Sequence, residues 1–169
     1  EFRRVLFRSA LAAQIWAAPT GQIAWAAVGM SSLAAALDGV DGWLARRFRT
    51  ESAFGARFDM ETDAALILVL SVLSWRWGKA GAWVLLSGLM RYLFIASGWI
   101  LPWMRGRLTP TMRAKTVAVV QMVSLIVAIG PIVPVWLSTA DAAGALMLLS
   151  WSFAIDVGRL WRGRTVSSA

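Results

Sequence analysis

The residues best suited to chemistry in this chain are its acids, and most of them lie in one short segment. Six of the nine acidic residues fall within 26 positions: Asp38, Asp41, Glu51, Asp59, Glu61 and Asp63. The chain has no His and no Cys, which excludes imidazole and thiolate metal sites, Cys nucleophiles and Ser-His-Asp triads. A bound metal would therefore need carboxylate ligands, and a general base would be a carboxylate or a rarer group.

The spacing of these acids predicts two matched helix faces. One face carries Asp38, Asp41, Gly42 and Ala45, at positions i, i+3, i+4 and i+7. The other carries Gly55, Asp59 and Asp63, at positions i, i+4 and i+8. Small residues let membrane helices approach closely. If the two faces meet, four carboxylates converge in one pocket.

Four converging carboxylates would repel one another strongly without bound cations. All-oxygen sites suit Mg²⁺ or Mn²⁺, and two such ions a few ångströms apart are a common device for holding a diphosphate. We therefore predict two divalent ions here. Two alternatives stay open: the acids pair with Arg46 and Arg57 to lock the helices together, or they line a proton or ion pathway.

Composition indicates that membrane helices position these acids. Of 169 residues, 59% are hydrophobic and 15% are charged, with a mean hydropathy of +0.64, whereas soluble domains are about 45–50% apolar and about 25% charged. The net charge of +8 does not indicate nucleic-acid binding, because the basic residues punctuate long apolar runs rather than form one face. These runs predict an all-α integral membrane protein of six transmembrane helices, the first truncated: Leu6–Ala18, Ile23–Leu37, Ala64–Trp75, Ala80–Met104, Thr116–Ala140 and Ala142–Val157.

The third helix must carry acids at membrane depth. After Asp63, the apolar run Ala64–Trp75 has 12 residues and reaches about 18 Å, short of the ~30 Å hydrocarbon core. To span, the helix must include Asp59 and Asp63, each costing about 2.5–3.5 kcal/mol at a helix centre. Bound metal ions would compensate.

The remaining helix limits follow from turn residues and charges. The second helix is predicted from about Thr20 to Arg46 or a little beyond, and the third from Gly55 or Arg57 to Trp75, with a loop over 47–54. The fourth ends near Trp103, and the fifth begins near Pro110 and is broken or kinked at its end by Pro131 and Pro134. The sixth covers about 141–162.

The distribution of basic residues predicts the orientation. With six crossings and a cytoplasmic N-terminus, 14 of the 17 Lys and Arg residues lie inside. Both termini and the acid cluster then face the cytoplasm, in a membrane of the bacterial inner type. Arg91 falls within a helix and should pair with an acid or with backbone carbonyls. We expect one domain over 1–169, with residues 1–9 a non-native or truncated start.

The acid cluster resembles a family motif. Residues 38–63 fit the pattern D-x2-D-G-x2-A-R-x8-G-x3-D-x3-D at all eight fixed positions and all spacings. This is similar to the CDP-alcohol phosphotransferase (CDP-alcohol phosphatidyltransferase) family, and the six-helix layout agrees with it. The resemblance implies a homodimeric enzyme of phospholipid synthesis that displaces CMP from a CDP-linked lipid, of the CDP-diacylglycerol type, with a small alcohol acceptor.

The resemblance also implies roles for single residues. Asp38, Asp41, Asp59 and Asp63 would bind two Mg²⁺ or Mn²⁺ ions, with Asp63 also deprotonating the acceptor hydroxyl. The CDP moiety would be bound by Gly42, Ala45, Arg46, Ser52 and Gly55. Ala64 departs from the family, because members that use glycerol phosphate often carry Lys after the last Asp.

A basic cluster predicts where a phosphorylated acceptor would bind. Arg105, Arg113 and Lys115 fall on the same side as the acid cluster, and cations of this kind recognise phosphate. Positive-inside bias and attraction to anionic lipid explain the cluster equally well. The acceptor itself stays open, as do two other functions: a membrane prenyltransferase that grips a diphosphate through Asp and Mg²⁺, and a non-enzymatic ion-transport subunit.

Overall fold

The structure, a computed structural model, describes residues 9–10, 12–14, 20–48, 53–100 and 112–166, excluding the side chains of 45, 46, 53, 54, 56–59, 95, 98–100 and 162–166. These ranges contain helices and turns without any strand, which confirms the all-α prediction. The helices are α1 (Gly21–Phe48), α2 (Ala53–Arg76), α3 (Leu85–Ile100), α4 (Met112–Ala128) and α5 (Val135–Val166), with a 3₁₀ turn at Ala82–Val84 before α3.

Helices α1 and α2 confirm the second and third predicted helices to within a few residues. Because α2 runs unbroken from Ala53 to Arg76, the helix that carries Asp63 also takes in position 59, as predicted. Its 24 residues extend about 36 Å. The predicted 47–54 loop is shorter than expected, since α1 continues to Phe48 and α2 begins at Ala53. Most of the first predicted helix lies outside the described residues.

The two turns at the far ends of α2 and α4 follow from glycine and proline. Gly78 adopts a φ of 67° and closes the turn after α2. Helix α4 ends at Ala128, before the predicted break at Pro131 and Pro134. Helix α5, however, begins six residues earlier than predicted. The Pro134 carbonyl accepts hydrogen bonds from the amides of Leu137 and Ser138, both at 3.0 Å, so proline starts this helix rather than only interrupting the chain.

Helix α4 packs against α1, α2 and α5, while α3 packs against α2 and α5. The side chains between them are mostly Leu, Ile, Val and Ala. The core includes Ala27, Ala34, Leu66, Ile67, Leu70, Leu73, Val84, Met122, Leu125, Ile129 and Ala142. Helices α2 and α3 approach closely at Gly88, where a Cβ atom would lie 2.5 Å from the Cα of Leu68.

Within the described ranges, two segments are long and apolar enough to cross a membrane: Gly21–Leu44 in α1 and Val135–Trp161 in α5. Helix α2 has the length but carries Arg57, Asp59, Glu61 and Asp63 in its first half, and α3 and α4 have 16 and 17 residues. Six crossings therefore stay a prediction. Large apolar side chains cover much of the outer surface, among them Trp25, Leu93, Val123 and Met147, as expected of a surface in contact with lipid.

Candidate active site

The acids of α1 continue a buried face of that helix. Ala27, Ser31 and Ala34 are buried at i, i+4 and i+7, and Asp38 follows four residues after Ala34, on the same face. Asp38 is half-buried and its Oδ1 atom is sealed from solvent. Asp41, one turn further along, is exposed, and Gly42 is half-buried.

The acids of α2 also lie next to a buried face of their helix, but here the acids come before the buried residues in the chain. Asp63 is half-buried with its Oδ1 atom sealed from solvent, and Ile67, four residues later, belongs to the core. Gly55 is half-buried, while the side chain of Asp59 lies outside the described part. Because Ala34 and Ile67 belong to one cluster, Asp38 and Asp63 lie one turn beyond the same core on two different helices.

The four-carboxylate set itself stays a prediction. Among the described side chains, no three acidic groups come together closely enough to hold a metal ion, and Asp59 is not among them. The donor chemistry nonetheless fits Mg²⁺ or Mn²⁺. Asp38 and Asp63 each direct one hard oxygen atom away from solvent, and a chain without His or Cys offers carboxylates as its natural metal ligands.

Glu61 is not counted in this set, because it forms an ion pair with a basic residue of α3. Its Oε1 atom lies 2.5 Å from Nη2 of Arg91 on α3. The prediction that Arg91 pairs with an acid or with carbonyls is therefore confirmed. The ion pair also gives Glu61, which lies between Asp59 and Asp63 in the sequence, a role in joining α2 to α3.

The basic residues predicted to bind the acceptor have different surroundings. Arg113 forms an ion pair with Asp156 of α5, and its guanidinium carbon lies 5.9 Å from the centre of the Trp151 ring. Lys115 is exposed. Arg105 lies outside the described residues, as does Ser52 of the predicted CDP-binding set, and so do the side chains of Ala45 and Arg46.

Comparison with known families gives a match over most of the chain. A sequence model of the CDP-alcohol phosphatidyltransferase family matches residues 3–155. The chain belongs to this family. The predicted resemblance is confirmed, and the match includes α1 through α4 and most of α5. No curated protein and no solved structure matches the chain significantly.

Membership in the CDP-alcohol phosphatidyltransferase family makes the chain a membrane-embedded transferase of phospholipid synthesis. Enzymes of this family generally depend on a divalent metal. The acid cluster is the part of the chain whose chemistry matches that requirement.

Sequence reasoning missed two polar contacts within the bundle. It did not predict the Arg113–Asp156 pair, although an acid inside an apolar run needs a partner. Nor did it predict that Oδ1 of Asp141 accepts a hydrogen bond from Ser124 at 3.2 Å. The available signal was the same in both cases: Asp141 and Asp156 interrupt or end the apolar run of the last helix.

Proposed function

We propose that this member of the CDP-alcohol phosphatidyltransferase family transfers the phosphatidyl group of a CDP-diacylglycerol-type lipid to a small alcohol and releases CMP. The observation that carries the proposal is the placement of Asp38 and Asp63. Each continues the buried face of its helix beyond one common core, and each keeps an oxygen atom away from solvent. Their spacing with Asp41 and Asp59 is that of the family motif.

Asp38, Asp41, Asp59 and Asp63 would hold two Mg²⁺ or Mn²⁺ ions. When bound, the ions would offset the charge that develops on the transferring phosphoryl group and on departing CMP. Without them the acids would repel one another, because like charges this close raise the free energy of the ionised state.

Asp63 is proposed to act as the base. It takes the proton from the acceptor hydroxyl as the new oxygen–phosphorus bond forms and the bond from phosphorus to the CMP oxygen breaks. A hydroxyl is a weak nucleophile until a proton acceptor lies within hydrogen-bonding distance. In a chain without His, a half-buried carboxylate is suited to that role.

The CDP moiety is proposed to lie against the end of α1 and the start of α2. Gly42, Ala45 and Gly55 leave room for it because their side chains are small or absent, Arg46 contacts its phosphate, and Ser52 lies near the nucleotide. Arg105, Arg113 and Lys115 are proposed to bind a phosphorylated acceptor. Arg113 can do so while keeping Asp156, because a guanidinium group has five N–H donors.

We further propose that residues 1–169 form one domain with six membrane crossings, and that the enzyme acts as a homodimer in the bacterial inner membrane. The termini and the site face the cytoplasm, where most of the basic residues would lie. In this orientation the acyl chains of the substrate stay in hydrocarbon while its nucleotide reaches the acids from the aqueous side.

The test is CMP release from CDP-diacylglycerol by purified protein in lipid vesicles. We expect release that needs Mg²⁺ or Mn²⁺, stops with a chelator, and depends on one acceptor in a panel of glycerol phosphate, inositol phosphate and serine. Metal-dependent transfer of an isoprenyl group from its diphosphate would instead support the prenyltransferase function. Ion flux that is lost on Asp substitution, without CMP release, would support the transport function.

A further inference from the structure

Two residues of α5 hold the side chain of Arg113, which belongs to α4. Its Nη2 atom donates a hydrogen bond to Oδ1 of Asp156, and its guanidinium carbon lies 5.9 Å from the centre of the Trp151 ring. An arginine side chain otherwise samples many rotamers. Helix α5 therefore restrains where this cation of α4 lies.

Arg113 still has hydrogen-bond donors that a ligand can reach. Its Nε atom is sealed from solvent, and its Nη2 atom bonds to Asp156. Its Nη1 atom is neither sealed nor bonded to a described residue, and this atom carries two N–H groups. Because the side chain is 22% exposed, a ligand can bind the guanidinium without displacing Asp156.

Arg113 also lies at nearly the same depth in the bundle as the acids of α1 and α2. A cavity near the turns after α2 and α4 gives a common starting level, because it is lined by Gly21, Trp77 and Ile129. From that level the helical rise is about 25 Å to Asp38, about 21 Å to Asp63 and about 24 Å to Arg113. A ligand bound by Arg113 would therefore lie at the level of the proposed reaction.

The carboxylate of Asp156 has two opposite effects on an anion at this place. Arg159 lies 4.0 Å from the same carboxylate, so the three groups together carry one net positive charge. By its own charge, Asp156 weakens the attraction of Arg113 for an anion. By holding the guanidinium, it lowers the loss of conformational freedom when the anion binds. Removing the carboxylate therefore shows which effect is larger.

We propose that Asp156 and Trp151 are positioning residues, which hold the guanidinium of Arg113 in place to bind a phosphate group of the acceptor. The proposal rests on the proposed function, in which Arg113 binds a phosphorylated acceptor. A side chain that is ordered before binding loses less freedom when the ligand arrives. The restrained arginine therefore binds phosphate more tightly than a mobile arginine would.

Binding of inorganic phosphate to the metal-free full chain in a phosphate-free detergent, followed by ³¹P NMR, tests the proposal without turnover. For Asp156→Asn we expect the Kd to rise about three- to tenfold, as when one side chain must be ordered on binding, although the change in charge alone would lower it. Trp151→Leu changes no charge and should raise the Kd about two- to fivefold.

Asp141→Asn is the matched control. Asp141 is also an acid of α5 that bonds to α4, since it accepts a hydrogen bond from Ser124 at 3.2 Å. It precedes Asp156 by 15 residues, a rise of about 22 Å. Its Kd for phosphate should therefore stay within about twofold of the wild-type value.

CMP release with a phosphorylated acceptor gives a second measurement. In Asp156→Asn the KM for the acceptor should rise about as much as the Kd for phosphate, while the KM for CDP-diacylglycerol stays within about twofold. A loss of folded protein lowers the total rate and cannot produce this split between the two substrates.

Each outcome decides the proposal. Phosphate bound equally or more tightly by Asp156→Asn overturns it, as does an equal weakening in Asp141→Asn. Wild-type protein that binds no phosphate, or binding that Arg113→Gln does not weaken, overturns it as well. Phosphate binding that is sensitive to Asp156 and Arg113, without any CMP release, would support the positioning and refute the proposed function.

A second variant decides if Asp156→Asn fails to fold. The Trp151 side chain is 56% exposed and adds little to the core, so Trp151→Leu should remain folded. An unchanged Kd for phosphate in that variant would then overturn the proposal.

Discussion

The two ends of the helix bundle use their polar groups in different ways. At the turn end, formed by residues 77–81 and 129–139, polar side chains bind the main chain. Lys79 holds the carbonyls of Gly130 and Val133, and Ser138 donates to the carbonyl of Ala128 at 3.0 Å. At the acid end, formed by residues 38–48 and 53–63, side-chain charge dominates, and the Glu61–Arg91 pair ties α2 to α3.

The buried residues of α1 and α2 named below lie on the side of the acids that is nearer the turn end. In α2 the fully buried leucines Leu66, Leu70 and Leu73 all follow Asp63, and in α1 the buried residues Ala24, Ala27, Ser31 and Ala34 all precede Asp38. Packing of buried side chains therefore lies toward the turn end, on the other side of Asp38 and Asp63 from the acid end. If the proposed function is right, the fold and the chemistry depend on separate parts of the same helices, and substitutions should remove one without the other.

The largest effect is expected from Asp63→Asn. Removing the proposed base should lower kcat by about 10²- to 10⁴-fold. The midpoint of unfolding in SDS, followed by circular dichroism, should stay close to the wild-type value, because Asn has nearly the same shape as Asp and the buried core of α2 follows Asp63. Glu61→Gln is the matched control: it lies two residues away, is paired with Arg91, and should keep most of the activity. Full activity in Asp63→Asn would refute the assigned role.

Leu70→Ala should produce the opposite result. Leu70 is 0% exposed, and Leu→Ala in a core costs about 2–5 kcal/mol. We expect the lower part of that range, because helices unfolded within lipid remain in an apolar solvent and lose mainly packing. The free energy of unfolding in SDS measures the loss, and activity per folded molecule should be unchanged. Leu93→Ala, at a site 57% exposed, is the control, and an equal loss there would contradict this account of the core.

Asp156→Asn should have a smaller effect. It leaves Arg113 without its partner at a contact where the side chains are 22% and 15% exposed, so we expect a loss of about 1.5–3 kcal/mol, as for a hydrogen bond to a charged group. The same SDS titration measures it. Arg159→Gln removes the other cation near that carboxylate, which is 59% exposed and 4.0 Å away, and should change little. A comparable loss in Arg159→Gln would show that the carboxylate depends on both cations.

The fold was predictable where local signals were strong. The limits of α1 and α2 follow from apolar runs that end at basic residues, and the turn at Gly78 follows from glycine. The start of α5 was not predictable, because Pro131 and Pro134 predict a break in the helix without fixing the residue at which the next helix begins. The outcome depends on the Pro134 carbonyl, which accepts the first hydrogen bonds of the helix.

The site was predictable in its residue types but not in its contacts. The spacing of Asp38, Asp41, Asp59 and Asp63 places them on two helix faces, whereas the distance between those faces depends on how α1 and α2 pack around α4. The same limit applies to Arg113 and Asp156, which are 43 residues apart in the chain. The rotation of α4 against α5 that brings them together is a property of packing, and the helical period of one segment does not encode it.

A small change in stability is expected from Glu61→Gln, and its size measures how far water reaches the acid end. The Arg91 and Glu61 side chains are 27% and 50% exposed. An ion pair exposed to water contributes about 0–1 kcal/mol, whereas an Arg left alone at the centre of a membrane helix costs about 2.5–3.5 kcal/mol. We expect the smaller value in lipid vesicles, because a site that admits a nucleotide must be open to water at this level of α2. A loss near 3 kcal/mol would place Glu61 and Arg91 in hydrocarbon and remove the aqueous route to Asp59 and Asp63.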